Sequence, residues 1–159
     1  MSEQLSEHFE KHELECHGED CCGHSAPVSP LLLDFLEEFR DEVSQPVMLS
    51  CAFRCGTHNT AIGSDSETSQ HPRGTAADIL LLEGGWTVDH MGEVAEKVLD
   101  NNSIFADIHG GIGLYEWGIH VDVRHVYEEV TAETVATVAE DRGNSADEGT
   151  IARWDDRDA

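Results

Sequence analysis

Hydrophobic and polar residues alternate along residues 29–44 with the period of an amphipathic α-helix. Charged side chains fill the positions between the apolar ones. Ser29 and Pro30 are a typical helix start, an N-cap serine followed by proline at the first helical position. The pattern predicts a helix that ends near Ser44, before Pro46. Its apolar positions are Leu32, Phe35, Leu36, Phe39 and Val43.

Shorter apolar runs predict four strands and one further helix. The strands are expected over 47–53, 76–82, 112–115 and 119–123, and the helix over 89–99. The stretch 58–73 is rich in Ser, Thr, Gly and Asp, which indicates an irregular excursion. Because short strands occur without regular alternation with helices, we expect an α+β domain with a small antiparallel sheet and flanking helices.

The ends of the chain differ in composition from its middle. Residues 1–28 are polar and rich in His and Cys, with a short apolar rhythm, and we expect them to pack on the domain formed by 29–126. Residues 127–159 predict an acidic tail, partly helical around 130–138 and otherwise disordered. A length of 159 residues is typical of one domain.

Charge excludes one class of function, and the lengths of the apolar runs exclude another. The chain has 33 Asp and Glu against 9 Lys and Arg, a formal net charge of -24. It lacks the basic footprint of a nucleic-acid binder, and its acidity favours cations over anionic ligands. No apolar run approaches the ~20 residues of a membrane span. The first residues show no secretory-signal pattern, so we expect synthesis in the cytoplasm.

Two segments carry the residue types of a metal site. His71 and Asp78 are separated by six residues, with Gly74 between them to turn the chain from loop into strand. His120 follows on the last predicted strand, whose alternation places Asp122 and Arg124 on the same face. A catalytic zinc ion takes three protein ligands and keeps one open position. Spacing alone leaves chance placement of solvated histidines as an equal alternative.

The order of these motifs resembles the zinc D-alanyl-D-alanine carboxypeptidase family, which includes phage endolysin peptidases and shares its fold with the Hedgehog signalling domain. The resemblance covers about residues 5 to 126. It includes the stretch Phe53–Asn59 and the run Gly111–Tyr115 before the last strand. Its central motif has the form Ser-x-His-x-x-Gly-x-Ala-x-Asp and consists of Ser69, His71, Gly74, Ala76 and Asp78.

The resemblance implies roles for particular residues. His71, Asp78 and His120 match the family's zinc ligands, and Arg54 matches an arginine that contacts the substrate and polarises its carbonyl. A guanidinium suits this role because it donates two hydrogen bonds to oxygen atoms. The alternative for Arg54 is a structural ion pair with one of the many carboxylates.

The general base is the point at which this sequence departs from the family. Many relatives carry Glu or Asp three residues before the last zinc histidine, where this chain has Trp117. Glu116 lies one residue earlier, and a bulge at Gly118 would aim it at the site. Asp122 lies two residues after His120 on the same face. We favour Glu116 as the base and Asp122 as a residue that orients a ligand or Arg124.

A second cluster lies near the N-terminus. Cys16, Cys21 and Cys22 have the residue type for a structural zinc site, with Cys55 as a further candidate ligand. The odd total of five cysteines argues against a pure disulfide framework. Because the spacing does not match a standard zinc knuckle, a local disulfide and buried thiols stay open as alternatives.

The resemblance implies a zinc peptidase that hydrolyses D-amino-acid-containing bonds of bacterial peptidoglycan, as a carboxypeptidase or an endolysin. Such an enzyme is expected to act as a monomer on a cell-wall peptide, at the wall after release from the cytoplasm. The alternative is a catalytically inactive, zinc-containing binding module of the same fold, which the tryptophan at position 117 motivates.

Overall fold

A computed structural model describes residues 3–18, 22–63, 69–101, 105, 110–124 and 151–155. These residues contain four α-helices and one five-stranded sheet. The helices are α1 (Lys11–Leu14), α2 (Pro30–Val43), α3 (Gly56–Ala61) and α4 (Val88–Asn101). The strands are β1 (Leu49–Cys51), β2 (Ala76–Leu80), β3 (Gly111–Tyr115), β4 (Gly118–Asp122) and β5 (Ala152–Asp155).

The helices predicted over 29–44 and 89–99 are present as α2 and α4, and α2 begins as its sequence predicts. The Ser29 hydroxyl accepts a hydrogen bond from the Leu31 N–H at 3.2 Å, which caps α2. The prediction of an irregular excursion over 58–73 is wrong in part. Cys55 caps the short helix α3 by accepting from the His58 N–H, and His71–Arg73 form a 3-10 turn.

The strand order in the sheet is β1-β2-β4-β3-β5. The first four strands pair antiparallel, whereas β5 runs parallel to β3. This arrangement confirms the predicted α+β class. The tail prediction is wrong for residues 152–155, because they form the edge strand β5. The helix predicted around 130–138 lies outside the described residues.

The two faces of the sheet differ in chemistry. The apolar face packs against α4, which packs in turn against α2, and apolar residues of both helices share one core with the sheet. Alternation along β2 and β4 sends Ala77, Ile79 and Val121 into this core. Phe9 and Leu14 of the N-terminal segment are buried in the same core. The opposite face carries the polar side chains described below. None of the helices in the described residues has the length and apolar composition of a membrane crossing.

Candidate metal centre

One row of paired residues crosses all five strands on the polar face. Asp78 lies opposite Cys51 on one side and His120 on the other. His120 lies opposite Gly113, which pairs in turn with Trp154 of β5. Because directly opposed residues project from the same face of a sheet, strand pairing alone gathers these groups.

The 3-10 turn before β2 adds His71 to this row. Gly74 ends the turn with φ +72°, a left-handed conformation that glycine adopts readily. A Cβ atom at this position would lie 2.0 Å from the Pro27 carbonyl oxygen, so the close approach also requires glycine. Asp78 Oδ1 lies 3.3 Å from His71 Nε2 and 3.1 Å from His120 Nδ1. The structure thus brings all three predicted ligands together.

The far side of each imidazole ring is held by a hydrogen bond. His71 Nδ1 donates to the Ala52 carbonyl oxygen at 2.6 Å, and His120 Nε2 donates to Asp122 Oδ2 at 2.9 Å. These bonds leave His71 Nε2 and His120 Nδ1 facing Asp78. Metal-binding histidines usually donate their other N–H to a carbonyl or a carboxylate in this way. The donor set of two imidazoles and one carboxylate therefore fits zinc.

The electrostatics of the cluster favour ionised groups. Burial raises the pKa of the Asp78 carboxyl, but hydrogen bonds from His120 and His71 outweigh it and hold that pKa well below its ordinary value. Burial lowers the pKa of both imidazoles. Hydrogen bonds to Asp78 and Cys51 nevertheless raise the pKa of His71 above its ordinary value, and hydrogen bonds to Asp122 and Asp78 do the same for His120. The cluster is thus an anionic carboxylate between two imidazoles, and a cation can replace their protons.

Asp122 lies behind His120 and is fully engaged there. Its Oδ1 accepts from Arg124 Nε at 2.6 Å, and its Oδ2 accepts from both Arg124 and His120. Burial raises the pKa of Asp122, but the Arg124 charge and these hydrogen bonds hold it well below its ordinary value. A Cβ atom at Gly111 would lie 2.3 Å from Asp122 Oδ2, so the first glycine of the Gly111–Tyr115 run leaves room for this pair.

Glu116 lies in the two-residue turn between β3 and β4, where its side chain is exposed. The pairing of Gly118 with both Leu80 and Tyr115 is regular, so the expected bulge at Gly118 is absent. In the described part of the chain, Glu116 has no hydrogen bond or ion pair to the three predicted ligands. Trp117, the second turn residue, is 40% exposed and stacks on Tyr115.

Arg54 lies in the loop between β1 and α3, at the edge of the cluster. Its backbone N–H donates to the His71 carbonyl oxygen at 3.4 Å. Its Nε donates to Asn59 Oδ1 at 2.7 Å, and its Nη1 lies 3.8 Å from Cys51 Sγ. Among the described residues, amide and thiol groups rather than a carboxylate hold this guanidinium.

Two residues at the site were missed by sequence reasoning. The sulfur of Cys51 lies within 4.8 Å of ligand atoms of His71 and Asp78. The Trp154 ring lies 5.0 Å from the His120 ring and donates from Nε1 to the Tyr115 hydroxyl at 2.8 Å. A Cβ atom at Gly113 would lie 2.3 Å from that indole nitrogen, so the second glycine of the run makes room for Trp154. No periodicity in the C-terminal segment indicates this contact.

The cysteine cluster is only partly as predicted. The sulfur atoms of Cys16, Cys22 and Cys55 lie within 4.8 Å of one another. Cys21 lies outside the described residues. The structure thus places two of the three N-terminal cysteines beside Cys55, the further candidate ligand.

The chain matches a known protein family. A family model described as Peptidase M15 matches residues 7–122, which contain every strand of the sheet except β5. No curated protein matches the sequence.

Proposed function

The chain belongs to the Peptidase M15 family of zinc-dependent metallopeptidases, and we propose that it hydrolyses D-amino-acid-containing peptide bonds of bacterial peptidoglycan. The observation that carries the proposal is the position of Asp78 between two imidazoles whose outer nitrogens are already bonded. We further propose that the enzyme acts at the cell wall, as a carboxypeptidase or an endolysin.

His71, Asp78 and His120 would hold the zinc ion. When bound, zinc supplies Lewis-acid polarisation of the scissile carbonyl and makes water a stronger nucleophile near neutral pH. The hydrogen bonds from the rings to Ala52 and Asp122 keep the ligand atoms aimed inward. Since Asp122 is itself held by the buried Arg124, the orientation of His120 depends on a chain of side chains below the site.

Arg54 is the proposed substrate-binding residue. Asn59 occupies its Nε, while Nη1 lies 3.8 Å from Cys51 Sγ, a thiol beside the cluster. A guanidinium held there can donate to a substrate carboxylate or to the oxyanion that develops at the carbonyl. The hydrogen bond from the Arg54 N–H to the His71 carbonyl oxygen holds the backbone of Arg54 next to that of a proposed metal ligand.

Glu116 is our candidate for the general base, by elimination. Both oxygens of Asp122 are engaged, and its lowered pKa makes it a poor proton acceptor. Glu116 is the remaining carboxylate in the turn next to His120, and its exposed side chain can turn toward a bound substrate. We assign Asp122 to the positioning of His120.

The direct test measures hydrolysis of purified murein and of D-Ala-D-Ala peptides, with products identified by mass spectrometry. We expect cleavage that stops after chelation and returns when zinc is added. Release of a terminal residue indicates a carboxypeptidase, whereas release of cross-linked fragments indicates an endolysin. Unchanged hydrolysis after complete zinc removal would contradict the metal mechanism.

A binding module of the same fold is the second candidate. It is favoured by Trp117 at the usual base position and by the absence of contacts between Glu116 and the ligands in the described residues. For this function we expect one zinc ion at the cluster and measurable affinity for wall peptides, without any cleavage product. Calorimetry of the same peptides, run beside the hydrolysis assay, separates the two candidates.

A further inference from the structure

Two cysteines of one N-terminal loop and a third from a distant part of the chain lie close together outside the candidate metal centre. Cys16 follows α1, Cys22 belongs to the next loop and Cys55 caps α3. Their sulfur atoms lie within 4.8 Å of one another, with Cys16 fully buried and the other two half-buried. A single disulfide requires only two cysteines, so the convergence of three indicates another use.

The loop that carries two of these cysteines is closed by its own hydrogen bonds. The Cys16 N–H donates to the Ser25 carbonyl oxygen at 2.9 Å, and the Ser25 hydroxyl donates to the Cys22 carbonyl oxygen at 2.8 Å. His24 Nδ1 donates to the Cys16 carbonyl oxygen at 2.9 Å. These bonds hold the backbone of Cys16 and Cys22 in one closed loop, and both sulfur atoms lie within 4.8 Å of Cys55 Sγ.

We propose that Cys16, Cys22 and Cys55 bind a structural zinc ion. Thiolates are soft ligands that select zinc over the hard cations Mg²⁺ and Ca²⁺, which prefer oxygen. In a tetrahedral site with Zn–S bonds of about 2.3 Å, sulfur atoms lie about 3.8 Å apart. The three thiols are thus about an ångström or less from this spacing. Three thiolates leave one position for water or a further side chain.

The bound ion would join the N-terminal segment to the β1–α3 loop. Cys55 directly follows Arg54, so the same ion would also limit the movement of the proposed substrate-binding arginine. That consequence rests on the proposed function, whereas the metal site itself does not. Because the two sites use different ligand types, they can be tested separately.

Cobalt substitution distinguishes the sites by spectroscopy. Thiolate–cobalt bonds give an intense near-ultraviolet charge-transfer absorption that imidazole and carboxylate ligands do not give. We expect this absorption in the wild-type protein and its loss in Cys55→Ser. Serine is a good N-cap, so this variant keeps the cap of α3 and is expected to fold. Cys22→Ser is a second half-buried variant with the same expected loss.

Two controls keep the assignment specific. Cys51→Ser removes the thiol that lies beside His71 and Asp78, and His120→Ala removes a ligand of the other site. Both variants should retain the thiolate absorption, which would exclude Cys51 as its source. Absence of the absorption in the wild type would overturn the proposal. So would its persistence when Cys55→Ser and Cys22→Ser are each combined with Cys51→Ser.

Zinc content by mass spectrometry completes the test. We expect about two zinc ions per chain in the wild type and about one in either Cys55→Ser or His120→Ala. If His120→Ala keeps all its zinc while Cys55→Ser loses one ion, the proposed function fails and the cysteine site stands. If Cys55→Ser keeps all its zinc, the cysteine site is refuted whatever the hydrolysis assay shows.

Discussion

The two clusters of metal-ligand side chains are built in different ways. His71, Asp78 and His120 lie on or beside paired strands, and hydrogen bonds to Ala52 and Asp122 hold the two rings. Cys16, Cys22 and Cys55 come from loops and a helix cap outside the sheet, and the Phe53 N–H donates to the Leu14 carbonyl oxygen at 3.0 Å between these segments. The first cluster is held by the sheet, whereas the second is formed by segments outside the sheet.

Metal binding and folding are therefore expected to be coupled differently in the two clusters. A site pre-formed by a β-ladder keeps its geometry without the ion, so metal removal should affect its activity more than its fold. A site formed from separate loops gains order from the ion, so binding free energy becomes folding free energy there. The predictions below act on one cluster at a time.

The largest effect is expected from Asp78→Asn, which removes the carboxylate between the two imidazoles. We expect loss of zinc from this cluster and hydrolysis reduced to the level of the chelated wild type. The thiolate–cobalt absorption should be unchanged, because Cys16, Cys22 and Cys55 lie outside this cluster. Full zinc content together with normal turnover would show that Asp78 is not a ligand.

Glu116→Gln tests the proposed base without touching a ligand. General acid–base catalysis contributes about 10²–10⁴-fold, and we expect kcat to fall by that factor while zinc content stays constant. Steady-state kinetics on a wall peptide measures the change. Near-wild-type turnover would remove Glu116 from the mechanism and strengthen the case for another proton acceptor.

Asp122→Asn removes the carboxylate charge that accepts the hydrogen bond from His120 Nε2. Loss of the charge leaves Arg124 buried beside a neutral amide, and breaking a buried pair typically costs about 3–5 kcal/mol of stability. We also expect zinc affinity to fall about 10–100-fold, as for other hydrogen-bond partners of metal ligands. Urea unfolding and zinc titration measure the two effects. A stable variant with normal affinity would show that His120 is oriented by other contacts.

Trp154→Ala tests whether β5 supports the strand cluster. Truncating a buried tryptophan costs about 3–5 kcal/mol, and here it also leaves Gly113 and one side of His120 uncovered. Trp117→Ala is the matched control, since that exposed indole should contribute less than about 1 kcal/mol to stability. Equal thermal unfolding of the two variants would indicate that β5 is dispensable.

The smallest effect is expected at Glu37, which tethers the N-terminal segment that carries Cys16. Burial raises its pKa, but hydrogen bonds from His8 and Ser6 outweigh it and hold that pKa below the ordinary value of 4.5. A carboxyl with a lowered pKa stabilises the fold above its ordinary pKa, and the contribution is lost as pH falls through the folded-state value. Glu37→Gln should cost about 1–2 kcal/mol at pH 7. The difference should shrink below about pH 4, and a pH-independent difference in urea unfolding would contradict this.

Local pattern was sufficient for much of the fold. The amphipathic helix α2, the strands β2 and β4 and the shared face of His120, Asp122 and Arg124 all follow from periodicities of 3.6 or two residues. Such periodicities depend only on neighbouring residues. The glycine between His71 and Asp78 also has the turning role that its position indicated.

Contacts between residues far apart in the chain placed several groups that local periodicity could not place. The contact of Trp154 with His120 needs a parallel strand that arrives from 152–155, and the cysteine cluster needs Cys55 beside Cys16 and Cys22. The regular register at Gly118, and with it the exposed position of Glu116, also depends on pairing with β2 and β3.

The sequence alone predicted the helices α2 and α4, the strands β1 to β4, the family motif and the three candidate zinc ligands, because each depends on residues close together or in a fixed order. Only the tertiary structure decided which groups stand behind those ligands and which thiols meet. Both depend on the register of strands and the closure of loops between residues far apart in the chain. That register is set by the summed packing of the whole core, which no local pattern contains.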